Sequence, residues 1–97
     1  MRHDLKCWPA YFDAVADGRK RAEFRKDDRE PRFETGHVLN LRRWSPNTGA
    51  YTGQRIAVVV THTVRGGDVQ ASPVPEGYVM LSIERMGKVQ ADEEAGR

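Results

Sequence analysis

The sequence predicts a mainly β (α+β) domain, a small, strongly curved or closed sheet of about five to six strands with one or two short helices. Three observations predict it. Apolar and polar residues alternate through several short runs, most clearly over 54–64, where Ile56, Val58, Val60, His62 and Val64 share one face. Helical spacing occurs once, early in the chain. No segment offers the crossover helices that a parallel sheet needs, so antiparallel pairing is expected.

Taken in order, residues 2–8 alternate loosely, with Leu5 and Cys7 on one side and Lys6 and Trp8 on the other, which reads as a first strand. Pro9 suits the first turn of a helix, where its missing N–H leaves nothing unpaired. Trp8, Tyr11, Phe12 and Val15 fit a core stripe over 9–17, and Gly18 stands at the C-terminal cap. A charged strand follows within 18–28. The turn-rich connection after it closes at Gly36, which is expected to take a positive φ. Residues 37–44 form the next strand. Ser45-Pro46-Asn47-Thr48-Gly49 turns the chain into a short strand at 50–52, and the long β-branched run over 54–64 comes after it. Residues 65–76, with Gly66-Gly67, Pro73 and Pro75, are a lid or a connector, and 77–85 is the last strand. The division expected is one domain over 1–86 and a flexible acidic tail over 87–97.

At 97 residues, 38% hydrophobic and 31% charged, the chain supports one core. Its net charge of +2 does not by itself imply nucleic acid, but seven Arg or Lys fall within 19–32, so one side should be positive. One cysteine excludes an internal disulfide. There is no leader-like apolar run and no stretch near the ~20 residues of a membrane span, so a cytoplasmic protein without membrane contact is expected. Three His and one Cys lack metal-site spacing, and neither metal nor cofactor is expected.

The segment from Gly18 to Asp28 carries five cations and three carboxylates, yet Ala22 and Phe24 sit among them at strand spacing. Such a strand packs Ala22 and Phe24 and carries Glu23 and Arg25 on its polar face. A carboxylate between cations suits a site for polar or anionic ligands. Regular alternation would point Lys20 away from Glu23 and Arg25, so the three converge only if Lys20 lies in the turn after Gly18 or beside a bulge, and a bulge is the device expected. Lys26, Lys6 and Arg43 are further candidate ligand-binding cations. Trp44 and Tyr78 are candidate stacking residues, with Trp44 the more exposed, while Trp8 and Tyr11 are assigned to the core. His62 is expected to be a hydrogen-bonded core residue.

The run Gly18-Arg19-Lys20-Arg21-Ala22-Glu23-Phe24-Arg25 resembles the G-x-K-x-x-E-x-R signature of ASCH domains, which have a PUA-like barrel. The blocks His3–Pro9, Glu23–Arg29, Trp44–Gly53 and Gly77–Ile83 are similar to the phage- and prophage-associated, uncharacterised branch of that group, over roughly residues 3–86. The resemblance implies a PUA-like β-barrel with a cleft lined by Lys20, Glu23 and Arg25, and an RNA-related role. One group of ASCH relatives removes the acetyl group of N4-acetylcytidine with a Lys and a Thr in the signature strand. Lys20 matches that Lys, and Glu23 occupies the Thr position, so that hydroxyl nucleophile is missing here. Other relatives are reported to cleave RNA.

Three function classes remain open. The first is binding of RNA or a modified nucleotide. The second is a small hydrolase or ribonuclease with Lys20 and Glu23 as catalytic pair. The third is a phage accessory protein that binds a host protein. A monomer or weak dimer is expected.

Overall fold

The computed structural model describes residues 1–70 and 72–92. The elements are β1 (Arg2–Cys7), α1 (Pro9–Ala16), β2 (Ala22–Lys26), β3 (Val38–Ser45), β4 (Ala50–Arg65), β5 (Tyr78–Arg85) and β6 (Gln90–Ala91). They form a mainly β fold. One sheet in the order β1-β3-β4-β5-β2, with β6 added to β4, curls into a half-barrel around α1.

Alternation decides which side chains enter the curl. Leu5 and Cys7 of β1, Leu39 and Leu41 of β3, Ile56, Val58 and Val60 of β4, and Val79, Leu81 and Ile83 of β5 are all buried. From α1 only Phe12 and Val15 join them. Eight residues give barely two turns, so the helix offers one narrow stripe to the core. Trp8 and Tyr11 therefore stay outside, 52% and 59% exposed, against the expectation that they pack. Pro9 opens the helix after an extended Trp8, and Gly18 closes it at φ +88°.

Four expectations need correction. β1 pairs with β3 in parallel, Leu5 opposite Leu41. The crossover that this demands is supplied by α1, β2 and the connection after β2 together, although β2 itself joins the far edge of the sheet. Residues 50–65 are one strand rather than two. Within it the register shifts between Val60 and His62, which reverses the alternation: Val60 points inward, and past the bulge Thr63 and Arg65 take the inward side. His62 is thereby exposed and not a core residue. Arg65 is buried instead, bonded to Asp27 at 3.1 Å, to the Phe33 carbonyl and to Thr63, so it anchors the connection between β2 and β3. Finally, β6 lies within the expected tail. Gln90–Ala91 pair with Arg55 and Gln54, and Asp92 accepts from Arg55 at 3.2 Å, while residues 93–97 of that tail lie outside the described residues.

Candidate functional site

The sheet's two edges, β1 and β2, approach each other without pairing. Arg25 bridges them, donating from Nη2 to the Lys6 carbonyl at 3.0 Å. Beside this seam is a hollow of about 690 Å³ lined by Lys6, Cys7, Lys20, Glu23 and Arg25, with the aromatic side chains of Trp8, Tyr11 and Phe24 along it.

β2 aims its residues here through its pairing with β5. Glu23 stands opposite Leu81 and Arg25 opposite Val79, and both partners face inward. Glu23 and Arg25 consequently point into the curl, and the Glu23 side chain is only 5% exposed. Phe24 points out and is 65% exposed, reversing the expected assignment of the two faces. β2 is an edge strand, so its inward charged side meets the hollow, where Lys20 and Arg25 stay 25% exposed while holding the buried Glu23.

Lys20 lies before β2, in the turn after Gly18, where its backbone N–H donates to the Ala14 carbonyl at 3.0 Å. That turn, and not a bulge, brings Lys20 to the carboxylate; the β2 ladder runs in unbroken register. Lys20 Nζ meets Glu23 Oε1 at 2.5 Å and also donates to the Ala22 carbonyl. Arg25 Nε donates to Glu23 Oε2 at 3.0 Å. Each carboxylate oxygen thus holds one cation, and both cations are 25% exposed on the side of the hollow. Two charge-assisted bonds allow a carboxylate to stay buried.

The other candidates divide. Lys6 lies at the hollow, with its ammonium 4.1 Å from the centre of the Trp44 ring. Trp44 is half-buried beside Trp8, ring centres 6.3 Å apart, and stands behind the rim. Arg43 is taken by Asp13 through two bonds of 3.0 and 3.2 Å, tying β3 to α1. Lys26 and Tyr78, paired across β2 and β5, lie on the outer face away from the hollow. The aromatic rim therefore belongs to Trp8 and Tyr11, with Phe24 beside them. The three-residue spacing of Trp8 and Tyr11 was visible in the sequence, but it also fitted the core stripe.

Cys7 is buried in the wall, and its thiol is pushed up to about 11, by burial first and by the Glu23 carboxylate second. It stays protonated near neutrality and is a poor nucleophile. Among the described residues no cluster of three His, Cys, Asp or Glu could hold a metal ion, and no helix is long and apolar enough to cross a membrane.

A family described as "Domain of unknown function (DUF3850)" matches residues 2–83. The chain is 42% identical over 79 residues to "Uncharacterized 12.9 kDa protein in GpA 3'region" of Escherichia phage P2. That match covers 81% of this chain and 64% of the phage protein, so the chain spans less than two thirds of its relative's length.

Proposed function

The chain belongs to the DUF3850 family, and on the geometry of the seam we propose that it binds RNA or a modified nucleotide there. The observation that carries the reading is the buried Glu23 carboxylate, held between Lys20 and Arg25 at a hollow rimmed by exposed Trp8 and Tyr11. Large aromatic side chains left in water beside a mostly apolar cavity that holds a few charged groups suit a flat, partly polar guest. A base stacks on the rim, worth about 1–3 kcal/mol per aromatic contact. Glu23 keeps lone pairs free to accept from an exocyclic amino group. Lys20, Arg25 and Lys6 serve carbonyl or phosphate oxygens. A place among ASCH-type PUA-like domains is part of the same proposal, resting on the G-x-K-x-x-E-x-R spacing.

A thermal-shift screen of ribonucleosides, ribonucleotides and acylated nucleosides tests it. A ligand at 100 times its Kd adds about 2.7 kcal/mol, a rise of roughly 10 °C or more for a chain of this size. The shift should fall in Trp8→Ala, an exposed position whose loss leaves the fold intact. If no probe raises the melting temperature, or if the hits ignore Trp8→Ala and Glu23→Gln alike, the proposal fails.

One contact favours a second reading. Lys20 Nζ and Glu23 Oε1 stand 2.5 Å apart at the hollow, the adjacency that the acid–base pair of a hydrolase or ribonuclease needs. Turnover of RNA or of an acylated nucleoside that vanishes in both Lys20→Ala and Glu23→Ala would establish it. Turnover that survives both would exclude it.

A further inference from the structure

A second hollow, of about 720 Å³, lies across Lys20 from the first. Lys20 lines both, so the two meet at its side chain. The second is bordered by Arg21, Arg85 and Glu84, by the bulge residue Thr61, and by Gly18. Three cations face one carboxylate, and that carboxylate is exposed.

The end of α1 also abuts this basin, and a helix C-terminus ordinarily repels anions. Here its carbonyls are occupied. Asp13 O receives the Asp17 N–H, Ala14 O the Lys20 N–H, Val15 O the Gly18 N–H, and Ala16 O the Arg85 guanidinium at 2.7 Å. Gly18 allows Arg85 its close approach, since a Cβ there would stand 3.3 Å from Arg85 Nη2. Arg21 donates from Nε to the Gly18 carbonyl at 3.3 Å. Among the described residues, then, the hydrogen bonds of Arg21 and Arg85 go to neutral carbonyls, while Arg85 acts on the Asp17 carboxylate only at longer range. Neither is held in an ion pair among the described residues, and each keeps unused N–H groups. Two arginines oriented by backbone, beside a basin and without carboxylate partners among the described residues, suit an anion with several acceptor oxygens.

We propose that this basin holds a backbone phosphate of the nucleotide next to the one in the seam, so that the ligand is a single-stranded polynucleotide rather than a free nucleoside. The inference rests on the nucleotide reading of the seam. Lys20 is the link: it touches Glu23 on one side and opens to the second basin on the other, so a chain leaving the first hollow passes over an ammonium before reaching Arg21 and Arg85. A strand is held by such a succession of stacking surface and cations.

The test compares single-stranded RNA of about eight nucleotides with the ribonucleoside monophosphates, on the wild-type chain and on Arg21→Ala. Arg21 is exposed and its side chain has one weak bond, so the variant should fold, and an unchanged melting temperature verifies that. Arg21→Lys, which keeps the charge but loses the fork, is the second variant. The oligonucleotide should bind at least about tenfold more tightly than any monophosphate, as one charge-assisted phosphate contact allows. Arg21→Ala should remove that gain and flatten the salt slope by about 0.7, leave monophosphate affinity unchanged, and be partly rescued by Arg21→Lys. Monophosphate binding with no oligonucleotide gain, or a gain that survives Arg21→Ala, refutes the strand and spares the nucleotide reading. Inorganic phosphate bound through Arg21 without an oligonucleotide gain assigns the basin to a free anion and also refutes the strand. Absence of binding by every probe removes both readings.

Discussion

Arg25 makes two bonds at once, from Nε to Glu23 Oε2 and from Nη2 to the Lys6 carbonyl, each at 3.0 Å. Replacing it with Ala leaves a carboxylate that is 5% exposed with one cation instead of two, and unties the seam between β1 and β2. A lost bond to a charged group costs about 1.5–3 kcal/mol, and the carbonyl bond adds about 1. Because the Arg25 side chain is 25% exposed, water recovers part of this, and the expected net is about 2 kcal/mol. For a domain of this size that lowers the melting temperature by roughly 8–16 °C. Glu23→Gln acts differently. It removes the buried charge, and the two cations left behind can turn to water, so the expected cost is about 1 kcal/mol. Arg25→Lys should sit nearer to Ala than to wild type, because one ammonium cannot serve both acceptors in the fork geometry of a guanidinium. Urea unfolding reads all three as shifts in midpoint at constant slope. The reasoning is refuted if Glu23→Gln destabilises more than Arg25→Ala, or if Arg25→Ala changes stability by less than about 0.5 kcal/mol.

His3 provides a pH dependence. The Glu34 N–H reaches His37 Nδ1, so that atom accepts from His3 Nε2 as well, while Arg29 approaches His3 Nδ1 at 3.4 Å. This arrangement needs a neutral His3, whose pKa lies below the usual histidine value through burial first, then the charges of His37, Arg29 and the N-terminus. Stability should be complete above about pH 6.5, the unfolded value, and fall as pH drops toward the lower folded value; a urea midpoint that stays flat from neutrality to about pH 5 would refute it. A Cβ at Gly66 would fall 1.9 Å from the Pro75 carbonyl oxygen, so Gly66→Ala should cost about 2 kcal/mol or more in a thermal melt. Phe12→Ala should cost about 3–5 kcal/mol, whereas Phe24→Ser should stay within about 0.5, as their exposures of 1% and 65% require; comparable losses at the two sites would contradict the orientation of β2.

Several parts of the molecule were legible in local chemistry alone. Pro9 and Gly18 bracket a helix whatever surrounds it, because one lacks an N–H and the other tolerates positive φ. The alternation over 54–60 marks a strand, and Glu23 with Arg25 two residues on must share a face. That Lys20 would meet them was legible only as a condition on the turn.

Face and partner are different matters, because they depend on what the neighbouring strands present. Nothing within 22–26 says that Glu23 rather than Phe24 points inward; pairing with β5 decides it, and the open seam makes it affordable for charge. The bulge after Val60 turns His62 outward and Arg65 inward, a one-residue shift that no alternation pattern announces. So the primary structure settled α1 and most of the strands, and placed Glu23 and Arg25 on one face, through bond geometry and periodicity. The tertiary structure alone decided that the triplet borders a hollow with Trp8 and Tyr11 at its rim, since long-range pairing and the unpaired approach of β1 to β2 create that concavity.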